Sequence, residues 1–182
     1  ASATAAEDGL VAISGLLISD VDATLASGGI YAVTLSAGHG TLTLGSIIGL
    51  SFDTGTGTAN ATMTFHGTLM DINKALATAS YAGNADFNGT DAIAFSVTDS
   101  FNGIVATGSG SATSDAKSVA ITVTAVNDAV TAGAPANLTA AEDSLTAITG
   151  LSISDVDAAL ASGGIYSVTL SAGHGTLTLG ST

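Results

Sequence analysis

The sequence predicts an all-β protein, a β-sandwich present as one full repeat followed by part of a second. Three observations carry that prediction. Apolar residues alternate with Thr and Ser along short runs, which is the period of half-buried strands. Turn formers separate the runs, with 23 Gly in 182 residues. Residues 1–47 return almost unchanged as residues 136–182, an offset of 135 with 38 of 47 positions identical, as a recent tandem duplication would leave them. A unit of that length fits one sandwich domain.

By alternation, strands are expected at Leu10–Ile18, Ile30–Ser36, Thr41–Leu44, Asn60–Phe65, Ala92–Thr98 and Ser118–Val126. In the last run Val119, Ile121, Val123 and Ala125 share one face, with Ala120, Thr122 and Thr124 on the other. Ala37-Gly-His-Gly40 reads as a tight hairpin joining two runs. One helix interrupts the strands: GTLMDINKALATAS, from Gly67, puts Leu69, Ile72 and Leu76 on one face, with Thr68 as N-cap and Asp71 three residues on. It is expected to lie across one end of the sandwich.

TAGAPANLTA, from Thr131, carries the single Pro and reads as a linker. The expected organisation is a complete repeat over 1–130, a linker over 131–138, and the N-terminal third of a near-identical repeat over 139–182. Either copy of the repeated segment could cover the body formed by residues 48–128. The first is expected to, because Leu44 runs into the 47–52 region with little loop. Leu151, Ile153, Val168, Leu170, Leu177 and Leu179 of the second copy would then lack a cover within their own third.

Fifteen acids against Lys74 and Lys117 give a formal charge of −13. So few cations argue against nucleic acid and against insertion into or docking on an anionic membrane. No run approaches the roughly 20 apolar residues of a membrane span, and no basic segment followed by an apolar one opens the chain, which reads as a soluble internal piece. The apolar content of 46% argues for folding over disorder. With no Cys, a protein outside the cell needs another staple, and metal ions are the obvious substitute.

The acids cluster as Glu7-Asp8, Asp20-Val-Asp22, Asp86-Phe-Asn-Gly-Thr-Asp91, Asp99 and Asn127-Asp128, mostly at strand ends or in Gly-containing turns. Ca²⁺ takes six to eight oxygen ligands, and neighbouring carboxylates in a loop repel until a dication joins them. A solubility face is the plainer alternative, but scattered charge would serve it as well; Asp53, Asp71 and Asp115 fit it better, Asp71 as a helix-start acid. His39 and His174 occupy the same G-H-G turn and His66 is solitary, which is poor spacing for a transition metal. No Ser, His and Asp set has nucleophile-like spacing, and GTGTG from Gly55 lacks the Lys of a phosphate loop. The paired carboxylates a glycosidase would need already have a simpler use in turns. The sequence therefore reads as a non-enzyme.

AED near the start of each copy, SDVDA, GTLMDINKALA from Gly67, YAGNADFNGTDAIAFSVTD from Tyr81 and ITVTAVNDA from Ile121 together cover nearly the whole chain. This set resembles the bacterial cadherin-like tandem repeats of giant, type I-secreted, RTX-type adhesins. The resemblance implies a Greek-key, cadherin/immunoglobulin-like sandwich with one short helix, in tandem array, with Ca²⁺ between repeats. It puts Glu7, Asp86 and Asp91 on one side of a junction, Asn127 and Asp128 in the linker, and Asp155 and Asp157 on the far side. Asp20, Asp22 and Asp99 would face a preceding repeat. The implied function is a Ca²⁺-stiffened structural spacer of a long adhesin, secreted to the surface of a Gram-negative bacterium, touching neighbouring repeats end to end and like chains laterally. A glycan- or protein-binding module is the rival, though Tyr31, Tyr81, Tyr166 and five Phe offer few aromatic platforms. A subunit of a self-assembling extracellular filament is another.

Overall fold

The computed structural model describes residues 2–21, 23, 29–99, 113–160 and 164–180. The chain divides into two units, Ala1–Val126 and Asn127–Thr182, each treated by itself below.

Unit 1 is β-sheet with one short helix. In chain order it contains β1 (Ser2–Ala6), β2 (Leu10–Ala12), β3 (Ile30–Ala37), β4 (Gly40–Leu44), β5 (Leu50–Thr54), β6 (Thr62–Thr68), α1 (Leu69–Leu76), β7 (Ala79–Gly83), β8 (Gly89–Thr98) and β9 (Ser114–Thr124). Six strands form one sheet in the order β1-β9-β8-β3-β6-β5, and three form a second, β2-β7-β4. Alternation dictates which residues meet: Val33, Leu35, Phe65, Ile93, Ile121 and Val123 from the large sheet and Leu42, Leu44 and Tyr81 from the small one join a single buried cluster. Each such side chain contributes about 1.5–3 kcal/mol by leaving water.

Besides the unannounced strand β5, four departures from the sequence reading shape unit 1. The run expected over Leu10–Ile18 is a strand only to Ala12, because Gly15 adopts φ 84°; Ile13, Leu16 and Ile18 are nonetheless buried. Ala37-Gly-His-Gly40 is not a hairpin turn. β3 pairs with β6 and β8 in the large sheet while β4 pairs with β7 in the small one, so the segment is a corner that carries the chain between sheets. Gly40 makes this corner fit, since a Cβ there would lie 2.4 Å from the Tyr81 ring. The expected helix ends at Leu76, and Ala79–Gly83, whose Ala79 and Tyr81 point inward, becomes the central strand of the small sheet. The fourth is β1, a strand the small residues of Ser2–Ala6 do not announce. It pairs in parallel with β9, Ser2 opposite Ala120 and Ala6 opposite Thr124.

α1 is capped as expected: Thr68 Oγ1 accepts the Asp71 N–H at 3.2 Å and donates to Asp71 Oδ2 at 2.7 Å. Its Ile72, Ala75 and Leu76 enter the core, and Asn73 clamps the Ile18 backbone through two bonds of 2.9 Å. Because Thr68 is opposite Ile30, the helix begins at the end of unit 1 where β3 starts.

In unit 2, the stretch expected to be a linker includes β10 (Thr131–Gly133), paired antiparallel with β11 (Ser152–Ser154). The counterpart of β11 in the first copy, residues 17–19, is not a strand. Leu177 and Leu179 are 43% and 68% exposed, whereas their counterparts Leu42 and Leu44 are buried in unit 1. Among the described residues no helix is long and apolar enough to cross a membrane.

Candidate metal centre

β1 and β9 finish together at one end of unit 1. The Glu7 N–H continues their ladder to Thr124 O at 2.9 Å, which turns the Glu7 side chain inward, 2% exposed. Its Oε1 accepts the Val126 N–H and its Oε2 the Asn88 side-chain amide at 3.4 Å. The chain then turns tightly, Gly9 N–H to Ala6 O at 3.1 Å, which leaves Asp8 exposed in the left-handed region at φ 57°. Asp86, in the β7–β8 turn, is likewise exposed and left-handed at φ 58°. Asp tolerates that conformation better than most residues. The two turns bring carboxylate oxygens of Asp8 and Asp86 within 4.8 Å of each other. At that separation two full charges repel by about 1 kcal/mol even in a water-like dielectric.

The same end holds Asp91, but that carboxylate does something else. Its side chain is 3% exposed. Oδ1 accepts the Gly38 N–H at 3.0 Å and the Ala92 N–H at 2.7 Å; Oδ2 accepts the His39 N–H at 2.9 Å and lies 2.8 Å from the Tyr81 hydroxyl. Each oxygen thus has two donors, and the four lone-pair positions are filled. Burial pushes the Asp91 pKa up, but the His39 amide, Tyr81 and the other two amides outweigh it and hold it below the ordinary value. Burial and the bond to Asp91 push the Tyr81 pKa far up. Asp91, which the resemblance makes a metal ligand, clamps the β3–β4 corner through these bonds. That corner braces the turn carrying Asp86: the Asn84 N–H donates to His39 O at 2.9 Å, and the His39 and Phe87 rings stack at 4.3 Å and 7°. His39 therefore has a packing role in its G-H-G corner.

At the opposite end, Asp20 and Asp99 line one polar cavity of about 140 Å³ with Tyr31, Thr113 and Asp115. The Tyr31 hydroxyl donates to Asp20 Oδ2 at 2.6 Å, and burial, this bond and the nearby carboxylates push its pKa far up. Asp99 accepts the Thr113 N–H at 2.8 Å and the Thr113 hydroxyl at 2.9 Å. Asp22 lies outside the described residues.

Unit 2 repeats the Tyr–Asp pair, Tyr166 hydroxyl to Asp155 Oδ2 at 2.6 Å, 135 residues on from Tyr31 and Asp20. That bond, more than burial, raises the Tyr166 pKa. Asp155 Oδ1 also accepts the Asp157 N–H at 2.9 Å, the compact form of a D-x-D turn. Asp157, 5% exposed, accepts the Asp128 N–H at 2.7 Å, so the start of unit 2 folds onto its own D-x-D pair. Asn127 is exposed and its amide donates to Asp128 O at 2.8 Å.

The resemblance points to Glu7 but not to its neighbour Asp8. The available signal was the E-D-G turn and its return as Glu142-Asp143-Ser144, where Asp143 again has φ 57°. The chain matches no family model, no curated protein and no solved structure.

Proposed function

We propose that the protein is a Ca²⁺-stiffened extender, a repeat of the Greek-key cadherin-like kind that spaces out a long, secreted, cell-surface adhesin and has no catalytic task. The observation that carries this reading is the Asp8–Asp86 pair beside buried Glu7. Two carboxylates within 4.8 Å have no side-chain cation in attendance: Lys117 is bound to Asp115 at 2.7 Å, and Lys74 sits in the last turn of α1. The donors are all oxygen, as Ca²⁺ requires. Two oxygens bound to one Ca²⁺ at 2.3–2.6 Å can stand up to about 5 Å apart, so the pair fits the ion.

On this reading Glu7, Asp8 and Asp86 are the ligands of unit 1, and the resemblance adds Asn127 and Asp128 from the linker and Asp155 and Asp157 from the next repeat. Asp20 and Asp99, with Asp22, serve the preceding junction. Asp91 leaves the ligand set, because its oxygens are filled. The resemblance in AED, SDVDA and ITVTAVNDA supports Glu7, Asp86, Asn127, Asp128, Asp155 and Asp157 in this assignment, while Asp8 enters from the geometry.

At extracellular affinities of roughly 10⁻⁴ to 10⁻³ M, a tenfold excess of Ca²⁺ stabilises by about 1.4 kcal/mol per site, a Tm rise of about 4 °C for a unit of this size. Mg²⁺, which prefers shorter bonds and holds its water, should raise it less. Asp8→Asn with Asp86→Asn, which keeps residues that tolerate a φ near 57°, should abolish the Ca²⁺ increment without lowering the metal-free Tm. An undiminished increment in that variant rules out the pair as ligands.

A further inference from the structure

Among the described residues one asparagine is followed by glycine, Asn88-Gly89, in the turn between β7 and β8. That order brings a side-chain carbonyl within reach of the next backbone nitrogen, and Gly89 has no Cβ to crowd the approach. The glycine is needed there, because it stands at φ 135°, where a residue with a Cβ is strained. Asn88 is exposed, and its side chain makes one hydrogen bond among the described residues, a long one from Nδ2 to Glu7 Oε2 at 3.4 Å. The other asparagines differ. Asn60 Oδ1 accepts the Thr56 and Gly57 amides at 2.9 and 3.0 Å, Asn73 is clamped to Ile18, and Asn84, Asn127 and Asn137 precede residues with a Cβ.

We infer that Asn88 is a site of spontaneous modification, at which the Gly89 nitrogen attacks the side-chain carbonyl and water then replaces the amide by a carboxylate. The Gly89 nitrogen gives up its proton and bonds to Asn88 Cγ; the bond from Cγ to the side-chain nitrogen breaks, ammonia leaves, and a succinimide ring closes. Water opens that ring at either carbonyl. Opening at the side-chain carbonyl yields aspartate, and opening at the main-chain carbonyl yields the isomer whose backbone runs through the former side chain. Nothing is oxidised or reduced: water enters and ammonia departs.

The position decides the consequence. Glu7 is 2% exposed and draws on two donors, the Val126 N–H and the Asn88 amide. The modification turns the second donor into an anion facing Glu7, in a neighbourhood where Asp8 follows Glu7 and Asp86 stands two residues before Asn88. Repulsion at this end of unit 1 grows and the metal-free protein weakens, whereas a cation shared by these oxygens gains a ligand. That last step rests on the Ca²⁺ reading of Asp8 and Asp86; the modification and its metal-free cost do not. Attack needs the Gly89 nitrogen free, and Gly89 opposite Val123 forms the first rung of β8, so the rate follows the fraying of that rung.

The test uses the full chain, kept for weeks in mildly alkaline buffer with chelator. Trypsin then cuts after Lys74 and Lys117 and frees residues 75–117, which hold both Asn-Gly pairs of the sequence, Asn88-Gly89 and Asn102-Gly103, the latter outside the described residues. Fragment mass spectra should place an amide-to-acid change on Asn88, with aspartate and its isomer as separate chromatographic peaks. An Asn88 that keeps its amide, whether or not Asn102 has changed, overturns the inference. Asn88→Asp made directly should lower the Tm in chelator by about 5 °C, and Asn88→Ala, which loses the donor without gaining a charge, by less. Equal losses overturn the cost assigned to the new charge. In Ca²⁺ the Asn88→Asp chain should gain more than the parent does. A parent that responds to Ca²⁺ while Asn88→Asp gains no more overturns the ligand role of the new carboxylate. A parent that ignores Ca²⁺ overturns the Ca²⁺ reading instead, and the mass spectra tell that failure from a failure of the modification.

Discussion

Asp91→Ala separates a structural carboxylate from a metal ligand, and the structure sets the size of the effect. The substitution strips the acceptor from the Gly38 and His39 amides and leaves the Tyr81 hydroxyl only its longer bond to His39 O at 3.2 Å, the strand's own Ala92 amide aside. Hydrogen bonds to a charged group contribute about 1.5–3 kcal/mol each. The two corner amides can be rewetted, whereas Tyr81 is fully buried, so a loss of about 3–4 kcal/mol is expected. For a unit of this size that is a Tm drop of about 10 °C. Melting followed by circular dichroism should show the same drop with Ca²⁺ and with chelator. A variant with an unchanged metal-free Tm and no Ca²⁺ increment would refute the donor count and restore Asp91 as a ligand. The acid arm follows from the lowered Asp91 pKa. Because the folded value lies below the unfolded value of about 3.9, the contribution is intact above about pH 4 and is lost as pH falls through the folded value. The gap between parent and variant should therefore narrow only below pH 4.

Thr68→Ala removes the α1 cap and should cost about 1 kcal/mol in a urea melt, with Thr68→Ser retaining most of it. Tyr31 and Tyr81 have pKa values pushed far above 10, so the stability they confer is complete below about pH 10 and lost as pH rises further. Ultraviolet titration should show these two ionising only as the fold is lost, and early, reversible ionisation of all three tyrosines would contradict the burial described. Asp155→Ala with Asp157→Ala, placed at one junction of a chain of several repeats, should make scattering report a bend there in Ca²⁺ while the other junctions stay stiff. An unbent junction rules those two residues out as ligands.

What was legible in the sequence was what short-range chemistry decides. β3, β6, β8 and β9 alternate Val, Leu, Phe or Ile with Thr, Ser or Ala, and their inward sets are the ones the period assigns. The α1 cap needs only Thr68 and Asp71, three residues apart. What was hidden depends on partners far along the chain. Ser2–Ala6 turns only the small Ala3 and Ala5 inward, and becomes a strand because β9 offers it an edge 118 residues away, from Ser2 to Ala120. The corner at Gly38–His39 looks like a hairpin locally; its sheet-to-sheet course is set by Asp91 and by Gly40 packing on Tyr81.

The same distinction governs the acids, and it can be put as donor supply. Asp71 has Thr68, Asp53 has His66 at 3.1 Å, Asp115 has Lys117, and Asp91 has four donors: each is satisfied by the protein that surrounds it. Asp8 and Asp86 stand in left-handed turns with only each other's negative oxygens close by within unit 1, and neither accepts a side-chain hydrogen bond or ion pair from it among the described residues. A D-x-D or N-D spelling cannot report this, because Asp91 and Asp86 belong to one sequence cluster and differ entirely in donors. Charge clustering in a sequence therefore nominates a metal site, but the count of protons already aimed at each oxygen decides which members of the cluster can still take a cation. On the proposed reading the next repeat should use Glu142 and Asp143 in the places of Glu7 and Asp8, since Asp143 has the same φ of 57° as Asp8.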